Sequence, residues 1–377
     1  MKKTLIALAV LTVSGAAFAQ SSVTLFGGAD LGYRNVTSGA NKFSGMSQDG
    51  LYSSRFGVNG TEDLGGGLKA NFHFEGGMAP DVGTSAGFNF TRKSTIGVAG
   101  GFGEVRLGRD YTPLFTIAGI ADPFGTNGVG SSYNLANSVT TSTTVAAATG
   151  SSFTTANTAS TGKDASVTVA SNTYADPNAV RANNSVAYYS PSFSGFTVSG
   201  MYSFGGENTA AAKKAGTMTS VKLAYANGPL IAAYGNQVTK GGVTNAANDA
   251  GDDQKITTNF LAGSYDLGVA KLSAGYKTDK ASFYADTFKS TILGVAAPMG
   301  ALTLKASYVA RKLGSDKVGN QVAFGGVYDL SKRTSVYAAY SSLNNEANYG
   351  MNVGSAAASD FTGLTSKGFE AGIKHSF

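Results

Sequence analysis

The stretch Ala301-Leu302-Thr303-Leu304-Lys305-Ala306-Ser307-Tyr308-Val309-Ala310-Arg311 decides the fold. Leu302, Leu304, Ala306 and Tyr308 fall on one face, and Thr303, Lys305 and Ser307 on the other. Side chains of a β-strand alternate with a period of two, so the segment has one apolar and one polar face. Lys271 to Lys277 repeats the pattern, with Leu272, Ala274 and Tyr276 opposite Lys271, Ser273 and Gly275. Between segments of this kind, short and long gaps alternate. That rhythm predicts an all-β chain, a transmembrane 16-stranded antiparallel barrel whose apolar face meets lipid and whose polar face lines a lumen.

Sixteen candidates are counted, from 22–34, 53–61, 68–78, 92–99 and 103–111 through 181–190 to 319–330, 334–343 and 366–377. An even number suits a single-chain barrel, and most segments reach the roughly 9–11 residues that a tilted spanning strand needs. The short connections hold turn formers, as in Ala226-Asn227-Gly228-Pro229 and Pro298-Met299-Gly300. The long ones lie near 35–52, 79–91, 112–180, 206–216, 240–254, 280–287, 312–318 and 344–365. Long connections face outward and short ones the periplasm, so both termini are expected on the periplasmic side. Residues 112–180 exceed any ordinary loop. Their first part, Thr112 to Tyr133, carries Pro113, Leu114, Phe115, Ile117, Ile120, Pro123 and Phe124, and is apolar enough to pack against something. From about 138 to 170 the chain is Ser, Thr and Ala with few apolar anchors, and reads as loosely ordered.

The chain opens on Met1-Lys2-Lys3, an apolar run from Leu5 to Val13, and Ala17-Phe18-Ala19 before Gln20. A basic start, a short apolar core and a small-x-small site predict a cleaved signal peptide over 1–19 and a mature barrel over 20–377. The apolar run is too short to span a bilayer. Cysteine is absent, so closed strand pairing rather than disulfides must hold the exported chain. Once Lys2 and Lys3 leave the 29 bases, 27 face 23 acids. That surplus is too small for nucleic-acid binding but biases a pore toward anions.

Catalytic readings find little support. The chain has two histidines, His73 and His375. His73 alternates with Phe72 and Phe74 and is expected inside the lumen with Lys69 and Glu75; His375 shares the parity of Phe369, Ile373 and Phe377 and is expected outside. Two histidines on separate strands with no cysteine make no metal site. Gly65-Gly66-Gly67 falls in a hairpin turn rather than between a strand and a helix, so it fails as a phosphate loop. Aromatic residues near strand ends (Tyr33, Tyr189, Phe204, Tyr225, Tyr265, Tyr308, Tyr328 and Phe377) are expected to form the interfacial girdles.

Four bases are more informative. Arg55, Lys93, Arg106 and Arg181 each alternate with apolar neighbours, so all four are expected to point into the lumen from the second, fourth, fifth and sixth strands. A charge on the lipid face near mid-membrane costs about 2–4 kcal/mol, which forces this orientation. Acids available to face them are Asp122 in the long connection, and Asp110 and Glu104 at the fifth strand, with Asp110 and Asp122 expected to serve as the loop acids. A basic wall opposite an acidic loop sets a transverse field that sorts solutes by charge.

At these residues the chain resembles the general trimeric porins of Gram-negative outer membranes, nearest the beta-proteobacterial branch. The resemblance covers the whole mature chain. It rests on Val23-Thr24-Leu25-Phe26-Gly27, Ser54-Arg55-Phe56-Gly57 through Gly60-Thr61-Glu62-Asp63-Leu64-Gly65, and Gly103-Glu104-Val105-Arg106-Leu107-Gly108-Arg109. Asp122-Pro123-Phe124-Gly125, Asn183-Asn184-Ser185-Val186 through Ser190-Pro191, and the terminal Phe377 add to it. The resemblance implies a homotrimer and a third external loop, here 112–180, folded inward as a constriction. It places Arg55 and Arg181 in the basic cluster at that constriction, with Lys93 nearby and Asp122 as the loop acid facing it. It makes Phe377 the signal read by the barrel-assembly machinery. Gly28 and Thr95 stand where some relatives carry bases, so the basic row is expected to be thinner here.

The expected function is a passive water-filled channel for small hydrophilic solutes, weakly anion-selective, with no cofactor. Its expected partners are a second and third copy, outer-membrane lipid and lipopolysaccharide, and the assembly machinery. An outer-membrane hydrolase using His73 and a surface adhesin using the long loops are the alternatives. The purified chain should require detergent and conduct in a planar bilayer; a soluble, electrically silent polypeptide would end this reading.

Overall fold

The structure is a computed structural model that describes residues 21–85, 89–141, 173–175, 179–205, 216–241, 254–282, 285–347, 349–354 and 362–377. Residues 1–19, predicted as a signal peptide, and most of the Ser/Thr/Ala stretch at 138–170 lie outside them.

Sixteen strands form one closed antiparallel barrel. They are β1 (Ser22–Ser38), β2 (Arg55–Gly65), β3 (Leu68–Ala79), β4 (Lys93–Gly100), β5 (Gly103–Tyr111), β6 (Arg181–Tyr189), β7 (Phe196–Phe204) and β8 (Thr217–Asn227). Then follow β9 (Leu230–Gly241), β10 (Gln254–Asp266), β11 (Lys271–Ala281), β12 (Phe288–Met299), β13 (Leu302–Leu313), β14 (Asp316–Asp329), β15 (Thr334–Asn345) and β16 (Thr365–Ser376). Each pairs with its sequence neighbours, and β16 returns to β1 in a register running from Gly28 opposite Ser376 to Ser38 opposite Ser366. Gly27 and Phe377 exchange both backbone hydrogen bonds at 3.1 Å, finishing the seam. No helix among the described residues is long and apolar enough to cross a membrane.

The alternation read from the sequence is present in the structure. Ile96, Val98, Val105, Leu107, Leu261, Leu293, Leu304, Val322 and Phe324 are exposed, while Thr95, Gly97, Ser264, Ser307 and Gln321 on the opposite parity are buried. Two expectations about the connections are corrected. The gap at 312–318 is not long: β13 and β14 extend through it and leave a turn at Gly314-Ser315, because backbone pairing continues past the alternating core. The gap at 35–52 is partly strand, since β1 outruns β2 and pairs its outer half with Asn41–Ser47.

Residues 112–137 carry two short helices, α1 (Phe115–Ala121) and α2 (Tyr133–Ala136). Their apolar side chains pack on the enclosed face of the barrel. Leu114, Ile117, Ala121, Phe124, Val129 and Leu135 join Ile256, Phe260, Phe288, Ile292, Val309 and Leu343 in one buried cluster. The main apolar core therefore lies between this segment and the inner wall of β9–β15. Full burial of a Leu, Ile or Phe is worth about 1.5–3 kcal/mol, enough in sum to hold this stretch of connection against the wall. A separate small sheet joins Ser138–Thr141, Thr173–Ala175 and Tyr349–Gly350.

A β-bulge interrupts the pairing of β5 with β6 between Ala182 and Ser185. Asn184 sits at φ +48° and Gly108, opposite, at φ +118°. A Cβ at Gly108 would collide with the Ser94 carbonyl oxygen. The bulge shifts alternation by one residue and fixes the side chains of Asp110, Tyr111 and Arg181 at the junction of wall and loop.

Two substitutions test this architecture. Gly108→Ala should destabilise the barrel by about 1–3 kcal/mol through its left-handed backbone, read as a lower urea midpoint of the detergent-folded protein. Leu293→Arg, on the lipid face, should cost about 2–4 kcal/mol in liposomes, whereas a soluble fold would gain or lose almost nothing.

Candidate functional site

The inward positions of β3, β4 and β5 build a charged wall. On β4, Lys93 alternates with Ser94 and the exposed Ile96; on β5, Glu104, Arg106 and Asp110 alternate with the exposed Val105 and Leu107. Asp110 accepts from Arg106 Nη1 at 2.5 Å and lies 3.2 Å from Lys93 Nζ. Arg106 Nη2 reaches Glu104 at 2.7 Å. Beside them Glu75 is buried, 2.7 Å from Arg92 Nε and 3.4 Å from Arg55 Nη1. Arg92 and Arg181 both donate to the Tyr111 hydroxyl, at 2.9 and 2.7 Å.

Three of these guanidinium groups lie over tyrosine rings. Arg55 is 3.9 Å from the Tyr52 centroid, Arg106 is 4.6 Å from Tyr189, and Arg181 is 4.4 Å from Tyr111. Stacking leaves the edge nitrogens able to donate while it removes rotamer freedom. Tyr111 in turn stacks on Phe115 of α1, with centroids 5.2 Å apart, so the wall and the loop share one aromatic contact. Charged side chains fixed in this way form a rigid field rather than a cloud of mobile charge.

The structure thus brings Arg55, Lys93, Arg106 and Arg181 together. The acids do not face them from across a gap. Glu75, Glu104 and Asp110 are on the same wall, and Asp110 is the penultimate residue of β5 rather than a loop residue. Asp122 is buried within its own loop, accepting hydrogen bonds from the Phe124 and Ser132 backbone amides at 2.8 Å each. Burial pushes its carboxyl above the ordinary range. Its carboxylate stabilises the turn between the helices; among the described residues it is not paired with the basic cluster. Tyr189, expected in a girdle, instead lies beneath Arg106 inside. His73 does point inward, 3.5 Å from Glu75, with its ring against Phe26.

The facing wall has its own charged groups, which the sequence reading did not single out. Lys277 Nζ donates to the Ala136 carbonyl at 3.0 Å and pairs with Asp279 at 2.9 Å. Arg311, whose side chain is 0% exposed, also reaches the Ala136 carbonyl, and lies 3.2 Å from Asp279. These two cations hold the C-terminal end of α2. A second clamp joins Glu370 to the Val129 amide at 3.0 Å and to Arg34 at 2.8 Å, while Gln321 donates to the Ser131 carbonyl at 3.1 Å. Lys222 on β8 donates to Thr116 of α1 at 2.7 Å. The signal for Arg311 was present, since it shares the inward parity of Lys305 in the opening stretch. Nothing in sequence could say that Ala136 would lie against it. Among the described residues, no group of three or more His, Cys, Asp or Glu could hold a metal ion.

A family model described as Gram-negative porin matches residues 4–348. The chain is 37% identical to outer membrane porin protein 32 of Delftia acidovorans over the full length of both chains. It is 32% identical to an outer membrane porin protein of Bordetella pertussis, covering 92% of this chain and 95% of that one. Among solved structures, the anion-selective porin from Comamonas acidovorans superposes with a TM-score of 0.74 at 31% identity, covering 95% of this chain and all of the other. The OmpF of Salmonella typhi shares the fold at 17% identity, with a TM-score of 0.63 over 94% of this chain and 97% of that one. These relatives are channels, which disfavours the hydrolase built on His73 and the adhesin alike. The chain belongs to the Gram-negative porin family, and it is an outer-membrane channel protein rather than an enzyme.

Proposed function

We propose that this porin passes small hydrophilic solutes with a weak preference for anions, and that Arg55, Lys93, Arg106 and Arg181 set that preference at a constriction formed by residues 112–136. The observation that carries the reading is the charge balance of the wall. Arg55, Arg92, Lys93, Arg106 and Arg181 are five bases against three acids, Glu75, Glu104 and Asp110. Lys222 and Lys305 add inward charge on the other side of the lumen, and no acid lies within ion-pair distance of either among the described residues. The anion-selective porin from Comamonas acidovorans supports the sign. The packing of α1 and α2 on the enclosed face supports the constriction, since any solute crossing at that height must pass between them and the basic wall.

The chain is further proposed to be exported through a signal peptide cleaved before Gln20 and to assemble as a homotrimer. One structural neighbour, OmpT of Vibrio cholerae, is described in a trimer form. Lipopolysaccharide and the barrel-assembly machinery, the latter reading Phe377, are proposed partners.

Reversal potentials in a salt gradient test the selectivity; a clear cation preference would overturn it. Neutralising Lys222 and Lys305 together should lower the anion-to-cation permeability ratio. A unit charge about 7 Å from the path in a water-like dielectric is worth about 0.6 kcal/mol, or two- to three-fold per lysine. Asp110→Asn should act in the opposite direction, because Lys93 and Arg106 lose their shared counter-charge. Arg311→Ala removes one cation from the buried clamp on α2 and leaves Asp279 less compensated. It should cost about 3–5 kcal/mol of stability and add current fluctuations as residues 112–136 loosen.

A further inference from the structure

Three glycines stand inside strands whose backbone geometry does not ask for them. Gly235 on β9, Gly275 on β11 and Gly294 on β12 all face the enclosed side of the barrel. None has a positive φ, so alanine would suit the backbone at each. Glycine in a strand interior weakens the strand, and it marks the close approach of another segment. Here that segment is residues 114–123. A Cβ on Gly235 would lie 2.6 Å from Ile117 Cδ1, the free end of a side chain that can turn away. The other two glycines meet rigid groups. A Cβ on Gly275 would lie 2.8 Å from Ala121 Cβ, and one on Gly294 would lie 2.6 Å from Pro123 Cδ. Both of those atoms are fixed to the loop backbone, so neither yields unless the loop moves.

The loop has a wall side and a lumen side at this height. Ile117, Ala118 and Ala121 of α1 are buried, while Thr116 and Gly119 are exposed. A Cβ on Gly119 would meet no heavy atom within 4 Å, so this face of the helix borders open space. Ser273, the residue paired with Gly294 across β11 and β12, donates its hydroxyl to the Ala121 carbonyl at 2.9 Å. That bond holds the end of α1 level with the two glycines. A Cβ on Gly294 would also lie 2.5 Å from the same Ser273 hydroxyl. Asp122 ties the turn to the Phe124 and Ser132 amides, so Ala121-Asp122-Pro123 moves as a unit. Carbon atoms in ordinary contact are about 3.5–4.0 Å apart, so a methyl on either wall glycine displaces this unit by about 1 Å into the lumen.

We propose that Gly275 and Gly294 determine the largest neutral solute that this porin admits. Lacking side chains, they let Ala121 to Pro123 sit recessed in the wall, and the depth of that recess is part of the free width of the passage. The inference rests on the reading of residues 112–136 as the constriction, and it assigns the width to two residues outside that segment. Pore diameter and wall charge are separate sources of selectivity. The basic wall sorts ions by charge, whereas these two positions sort uncharged molecules such as sugars by cross-section. A methyl group in place of a hydrogen changes no charge, so the two filters can be varied apart.

The test uses the full folded protein in liposomes, with swelling rates measured in arabinose, glucose, sucrose and raffinose. Single-channel conductance and reversal potential are recorded on the same preparations. G275A and G294A should each lose most of their flux of the largest sugar that wild type admits, keep their arabinose flux, conduct less, and retain the sign of the reversal potential. The exchange variant G275A/A121G moves the same methyl from the loop to the wall and should recover the wild-type ratio of large to small sugar. G119L adds bulk on the lumen side without touching the wall and should also cut passage of the large sugar. Wild-type sieving in G275A and G294A, beside a loss in G119L, would overturn the role of the two glycines and leave the constriction standing. Unchanged sieving in G119L would instead refute the constriction reading. An exchange variant as narrow as G275A would overturn the proposal, because the position of the methyl would then not be the cause. Faster passage of the large sugar with noisier current in the glycine variants would overturn it too, since the loop would have left the wall rather than moved inward. Failure of both glycine variants to fold, judged by heat-modifiable migration, would also sink it, because a seat that cannot shift cannot tune a width.

Discussion

Hydrocarbon offers no partner to a backbone amide, so every spanning strand must be paired on both edges. A sheet satisfies that demand only by closing. Here the closure is the register of β16 against β1, completed by the reciprocal bonds of Gly27 and Phe377. Closure has a second consequence. It divides each strand's alternating side chains into an outside set and an enclosed set, and the rest of the molecule is built on that division.

The enclosed set is not uniformly polar. Along β9–β15 it includes Ile256, Phe260, Phe288, Ile292, Val309 and Leu343, which make the seat for residues 112–136. The seat is apolar for most of its area and charged at its edges. Lys277 and Arg311 meet the end of α2, and Glu370 and Gln321 meet the backbone at 129–131. Burial supplies the attraction without direction; these few charge-assisted bonds supply the register. On the opposite side, β2–β6 stay polar and hold the stacked arginines. The lumen thus has a packed side and a wet side, joined where Tyr111 lies on Phe115.

Much of this was legible in the chain. Alternation placed Arg55, Lys93 and Arg106 inward and Leu293 and Tyr308 outward, because a charge in lipid is too costly to occur by accident. It also found sixteen strands with ends close to the observed ones. Alternation failed where the backbone departs from a regular strand. The bulge at 182–185 displaces Arg181 from the simple parity, and Tyr189 lies under Arg106 although its position near a strand end suggested a girdle. The expected acidic loop facing a basic wall was a statement about two distant segments, and it was wrong in both. Asp110 belongs to the wall, and Asp122 is consumed by its own turn.

The chain alone determined which side of each strand is oily and how many strands there are, because those properties repeat every two residues and need no knowledge of a neighbour. It also determined that the wall carries more base than acid. Tertiary structure decided which charges meet. Glu75 lies beside Arg92 and Arg55, and Lys277 and Arg311 meet over Ala136, because register and a folded connection bring together residues dozens to hundreds of positions apart. Pairing across that separation depends on where the barrel closes and where the bulge falls, and no local pattern encodes either.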